Sequence, residues 1–199
     1  KDQNEELTQA ISLALFDYLK KSKARGFVLS LSGGADSGSC AVLVSEMVRR
    51  AVHILGTEKF CNSLGLQMTA NDRKGLVTQL LTCAYQATKN SSDETLNAAR
   101  TLAESIGAAF HQWNIDAEVD SYVQTIETAI NRPLTWEQDD ISLQNIQARA
   151  RSPVIWLLAN NKRAVLLTTS NRREGAVGYA TMDGDTSGSL APIAAISKT

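Results

Sequence analysis

A short apolar run, Phe27-Val28-Leu29-Ser30-Leu31, passes directly into Ser32-Gly33-Gly34-Ala35-Asp36-Ser37-Gly38. After it Cys40, Ala41, Val42, Leu43, Val44, Met47 and Val48 mark a largely buried helix. Strand, glycine turn and helix in that order are the opening of a βαβ unit. The rest of the chain repeats the alternation. An amphipathic helix is expected over 4–22, stopped by a Lys/Arg-rich end and Gly26. A second strand is expected over 79–84, and Ser91 with Glu94 opens a helix as a capping box. That helix buries Leu96, Ala99, Leu102, Ala103 and Ile106 and ends at Gly107. Ala109–Trp113 reads as a strand, 116–130 as a helix, 141–160 as a helix kinked at Pro153, and Ala164–Thr168 as a fourth strand. Residues 51–75 read as irregular or insertion-like, and 170–192 as a loop. Together these elements predict an α/β fold: a Rossmann-like three-layer α/β/α sandwich around a mostly parallel sheet of about five strands, with right-handed crossovers.

Composition narrows the function classes. Of 199 residues, 43% are hydrophobic, enough for a core and against general disorder. Twenty basic residues against 21 acidic leave a net charge of −1, which argues against a polybasic nucleic-acid or membrane-surface protein. Cys40, Cys61 and Cys83 offer neither a pairing framework nor metal spacing and read as reduced thiols, consistent with a cytoplasmic protein. His53 and His111 have no metal-spaced partners.

The glycines carry the functional signal. Of twelve, three lie in 33–38 and four in 175–188, and both segments follow expected strands. In a parallel sheet they then share the carboxyl edge, where ligands bind. The first segment has the makings of an anion site, with free amides at a helix start and Ser32 and Ser37 hydroxyls. Gly33 and Gly38 have Walker A spacing, but Ser39 and Cys40 stand where that loop needs Lys and Ser/Thr. An acid inside a phosphate loop repels its ligand unless a cation intervenes, so Asp36 points to Mg²⁺ bridging carboxylate and phosphate. The plain alternative is a glycine turn with Asp36 as a helix cap.

The hexapeptide 32–37 resembles the SGGxDS pyrophosphate loop of the adenine-nucleotide α-hydrolase-like ATP pyrophosphatases, which include NAD, GMP and asparagine synthetases and tRNA-modifying enzymes. Residues 165–199, VLLTTSNRREGAVGYATMDGDTSGSLAPIAAISKT, resemble the NAD synthetase signature. Asn145-Ile146-Gln147-Ala148-Arg149-Ala150-Arg151 is similar to that family's N-x-x-A-R-x-R segment. The GDTSG variant looks most like the synthetase domain of bacterial glutamine-dependent members.

That resemblance implies ATP-dependent amidation of deamido-NAD: adenylation of the nicotinate carboxylate with release of pyrophosphate, then displacement of AMP by ammonia. It implies that Ser30, Ser32, Gly33, Gly34, Asp36, Ser37, Thr169 and Lys198 contact ATP or pyrophosphate. Asp36 and Glu174 would hold Mg²⁺, and Asp36, Glu174 and Lys198 would be catalytic. Asn145, Arg149, Glu174 and Asp185 would bind deamido-NAD. Residues 1–199 would form one such domain, truncated at both ends relative to a longer homodimeric protein whose glutaminase domain supplies the ammonia. Met182 and Ser189 depart from the Lys and Asp that contact deamido-NAD in ammonia-dependent members, leaving Asp183 and Asp185 to compensate.

Plain readings remain beside these. Glu174 next to Arg172 and Arg173 reads equally as a surface ion pair, Arg149 and Arg151 as a solvated helix face, Thr169 as a strand end and Lys198 as a surface charge. Ser91 and Ser92 fit a nucleotide-reading serine pair or simple capping. Cys61 has no neighbouring base and is not read as a glutaminase nucleophile. The alternatives for the whole chain are another SGGxDS enzyme, GMP synthetase-like or tRNA-modifying, and a non-catalytic adenine-nucleotide-binding module.

Overall fold

The computed structural model describes residues 2–67, 72–178, 180–184 and 186–196. Helix α1 (Gln3–Ser22) is capped by Asp2, whose carboxylate accepts from the Asn4 amide at 2.9 Å. Acids occupy its first turn and lysines its last, as the helix dipole favours. Its left-handed terminal residue is Lys23 (φ 60°), not the expected Gly26. Strand β1 (Phe27–Ser30) leads through the glycine turn into α2 (Ala35–Leu55).

The segment 51–75, expected to be irregular, is mostly helical. α2 runs on to Leu55, α3 spans Thr57–Leu64, and α4 (Arg73–Leu80) starts on the cap Asp72. Strand β2 accordingly begins at Leu81 and extends to Ala87, later than the expected 79–84. Helix α5 (Asp93–Ile106) is capped by Ser92, whose hydroxyl accepts from the Thr95 amide, while Ser91 accepts from Thr88 instead. Then come β3 (Ala109–Asn114), α6 (Asp116–Ile130), α7 (Asp140–Lys162), β4 (Val165–Leu167) and α8 (Arg172–Val177). Helix α7 is assigned without a break through Pro153. The six-residue α8 lies inside the segment expected to be loop.

The sheet order is β3-β2-β1-β4 with every pair parallel. Four strands form it among the described residues, against about five expected. One parallel bridge, Leu167 to Leu190, prolongs the sheet beyond β4. Alternate side chains of a strand face opposite layers, and β1 shows it. Phe27, Leu29 and Leu31 join the larger core with residues from α1 to α5, while Val28 packs with Leu166, Ala84 and Ile155 and Ala159 of α7. Helix α6 closes on α7 through Ile115, Val119 and Ala150. The result is the expected three-layer sandwich. Apolar strands buried on both faces are what a parallel sheet demands.

Candidate functional site at the carboxyl edge of the sheet

β1 and β4 are neighbours, so the two glycine-rich segments leave the same sheet edge side by side. The first turn is held by its own serines. The Ser37 hydroxyl is buried, lies 3.1 Å from the Ser32 hydroxyl, accepts from the Ser32 amide at 3.2 Å and reaches the Gly34 carbonyl at 3.2 Å. The Gly34 amide donates to the Ser32 hydroxyl at 3.3 Å. Ser37 therefore braces the loop, while Ser32 and Gly34 stay exposed at its surface. Gly33 has φ +83°, and a Cβ there would stand 2.3 Å from the Thr95 carbonyl oxygen. Only glycine fits so close to α5.

The second segment begins with Asn171, which is 4% exposed. Its side-chain oxygen accepts from the Arg173 and Glu174 amides at 3.0 and 3.2 Å, and its own amide donates to the Glu174 carboxylate at 3.2 Å. This reciprocal capping box starts α8. The Asn171 side-chain nitrogen donates to the Asp36 carboxylate at 3.4 Å. One buried asparagine thus joins Glu174 to Asp36, which lies 135 residues before that asparagine, and Glu174 is engaged in a cap rather than merely decorating a surface. Sequence reasoning passed over Asn171. The signal was present as N-x-x-E after a buried strand, the same pattern it used, one residue out of place, at Ser91.

Beside the loop a cleft of about 360 Å³ opens over the ends of β1, β2 and β4, lined in part by Ser30, Ser32, Thr169 and Arg151. That volume lies within the range of small-molecule sites. Ser30 is fixed by a relay across three strands that the sequence did not reveal. The Gln86 amide donates to the Ser30 hydroxyl at 3.1 Å, and the Trp113 indole donates to the Gln86 oxygen at 3.2 Å.

Helix α7 forms the opposite wall and holds the returning loop. Arg149 donates to the Met182 carbonyl at 3.0 Å, Thr181 donates to the Asn145 side-chain oxygen at 3.1 Å, and Trp156 donates to the Ser187 hydroxyl at 2.8 Å. Asn145 and Arg149 do share one face of a helix beside the cleft, and their contacts in this structure are to the loop 181–182. Met182 turns its side chain to solvent, and Ser189 follows β4, its amide donating to the Leu166 carbonyl at 2.9 Å. Gly188 lets that strand-like return pass, since a Cβ would meet the Thr168 backbone nitrogen at 2.7 Å. Asp185 and Lys198 lie outside the described residues.

A divalent cation is compatible with this donor set. Magnesium is usually held by one or two carboxylates with substrate phosphate oxygens and water completing its shell. Asp36 and Glu174, joined through Asn171 beside a hydroxyl- and amide-lined loop, would supply the protein share. Among the described residues no cluster of three or more His, Cys, Asp or Glu stands ready to hold a metal alone. The cysteines are elsewhere in character. All three are free and buried, and burial pushes Cys40 and Cys83 up to about 12, with the Asp36 charge adding to the effect at Cys40.

Comparison with known proteins agrees with this geometry. The NAD synthase family model matches residues 7–199. The chain is 30% identical over 216 residues to a glutamine-dependent NAD(+) synthetase of Homo sapiens, covering 98% of this chain and 31% of that protein. It is 34% identical over 197 residues to the Aquifex aeolicus enzyme of that name, covering 99% and 29%. The chain therefore spans about a third of the length of these curated relatives. A crystal structure of a glutamine-dependent NAD(+) synthetase from Cytophaga hutchinsonii superposes with a TM-score of 0.95 at 52% identity, covering 99% of this chain and 36% of that one. A glutamine-dependent NAD+ synthetase from Acinetobacter baumannii, solved with adenosine diphosphate, gives 0.75 at 25% identity, covering 100% and 31%.

Proposed function

Because this chain belongs to the NAD synthase family, we propose that it is the ATP-using part of an enzyme that amidates deamido-NAD to NAD, with AMP and pyrophosphate as the other products. The observation that carries the reading is the convergence of the Ser32–Ser37 turn and the Asn171–Glu174 cap beside one cleft. Two loops far apart in sequence thereby bring hydroxyls, amides and two carboxylates to the same edge of the sheet.

In this reading the adenosine end of ATP enters the cleft near Ser30 and Thr169. The turn formed by Ser32, Gly33, Gly34 and Ser37 receives the β- and γ-phosphates, which depart as pyrophosphate. Asp36 and Glu174 would hold Mg²⁺, which would neutralise charge on the phosphates. Deamido-NAD lies along α7, so Asn145 and Arg149 exchange their contacts with Thr181 and Met182 for contacts with substrate. Lys198 is assigned to the phosphates and Asp185 to deamido-NAD on the sequence resemblance alone. The nicotinate oxygen attacks the α-phosphorus, pyrophosphate leaves, and ammonia then attacks the carbonyl carbon and expels AMP. No side-chain nucleophile is required. The protein's contribution is positioning and electrostatic stabilisation. Ammonia is supplied from glutamine by a region outside this chain, and the enzyme works as a cytoplasmic homodimer.

The test is incubation with ATP, Mg²⁺, deamido-NAD and ammonium, followed by chromatographic separation of the products. NAD and AMP are expected in equal amounts. The variants Asp36→Asn and Glu174→Gln are expected to lose at least about a hundredfold in turnover while remaining folded. Formation of neither NAD nor AMP by the parent protein would rule the reading out.

A further inference from the structure

We propose that Asn171 is a positioning residue that sets the two magnesium-facing carboxylates, Asp36 and Glu174, in mutual register. The inference rests on the proposed reading of the site and deepens it. Three observations carry it.

Asn171 is buried to 4% exposure at the junction of the two glycine-rich segments, where a polar side chain is costly unless it is fully engaged. It is engaged in both directions. Its oxygen accepts from two amides of α8 and its nitrogen donates to Asp36. The same residue's backbone amide donates to Glu174 at 3.2 Å. Both carboxylates therefore accept a hydrogen bond from one residue, although they stand on different loops.

The chemistry follows from the donor inventory. An ionised carboxylate only accepts, so two of them cannot hold each other and repel when no cation lies between them. A neutral amide is the side chain that can donate to one acid while its oxygen caps the helix bearing the other. Asp in its place retains the cap but has no donor for Asp36. Ser or Thr retains the cap but is too short to reach Asp36. Asn alone among the strong N-cap residues does both. A hydrogen bond from Asn171 to Asp36 fixes the direction in which that carboxylate faces a cation, which is how groups behind metal ligands tune affinity.

The experiment compares the parent protein with Asn171→Ser and Asn171→Thr, each of which preserves a capping oxygen. Affinity for inorganic pyrophosphate is measured by calorimetry in excess Mg²⁺ and again in EDTA, alongside thermal unfolding. The parent is expected to bind more tightly with Mg²⁺. Both variants are expected to bind about 10- to 100-fold more weakly than the parent in Mg²⁺, to match it in EDTA, and to unfold at nearly the same temperature. Asp36→Asn is expected to reproduce that pattern. Variants that bind as the parent does in Mg²⁺ overturn the positioning role. So does equal weakening with and without Mg²⁺, or weakening found only with a large fall in the unfolding temperature, because either result assigns Asn171 to structure alone. A parent protein that gains nothing from Mg²⁺ removes the metal reading itself, an outcome distinct from the others.

Discussion

Cys40 sits one helical turn from Asp36, yet nothing in its setting makes it reactive. Burial first, and the Asp36 charge second, hold its thiol at about 12, and burial alone does the same at Cys83. A thiol is a nucleophile only as thiolate, so the native protein is expected to show no fast reaction with an aromatic disulfide reagent at pH 7. After denaturation all three cysteines are expected to react. The linkage has a definite sign. Both folded values lie above the ordinary thiol value, so the contribution is complete below about 8.5 and is lost as pH rises from there towards 12. Denaturant unfolding is expected to show stability falling across that alkaline window, and Cys83→Ala is expected to flatten the fall. At the same scale Asp36 stood out because charge in a phosphate-type loop demands an explanation, and Glu174 stood out only through the family resemblance. Asn171 and Gln86 were not, because their significance is a partner on another strand, and no local pattern names that partner.

At the scale of elements, most of the alternation of strand and helix was legible from apolar runs and glycines. The errors cluster where the period was hidden. Residues 51–75 looked irregular because α3 and α4 have only eight residues each and the stretch has mixed polarity and scattered glycines. The apolar run 77–85 straddles the end of α4 and the start of β2, and a short apolar run does not by itself distinguish buried helix from buried strand. The glycine turn after β1 was legible for a stronger reason, since Gly33 answers a steric demand. Gly33→Ala forces a positive φ on a residue with a side chain and drives its Cβ into the Thr95 carbonyl. A loss of about 1–3 kcal/mol is expected in denaturant unfolding. Gly175→Ala, with open space around it, is expected to change little.

For the whole molecule, the site exists only as the meeting of β1 and β4, so ligand binding and global stability are linked. At about 100 times its dissociation constant a ligand adds about 2.7 kcal/mol to stability, which for a domain of this size is roughly 5–11 °C. Mg²⁺ with ATP is expected to raise the unfolding temperature by that order. Asp36→Asn is expected to abolish the shift, and ATP with EDTA to give a smaller one. The layered architecture was legible from the sequence. The order β3-β2-β1-β4 was not, because strand alternation fixes parallelism without saying which strand lies beside which.

That order also sets a timetable. Asp36 and its partner Asn171 are 135 residues apart. At the usual 5–20 residues per second of synthesis, the glycine turn leaves the ribosome roughly 7–27 s before the strand and cap that complete the site. Most of the helical layer against β1 is already made by then, and the carboxyl edge is finished last. A nascent chain of this protein therefore passes through a long interval in which it carries the glycine turn without the cap that meets it.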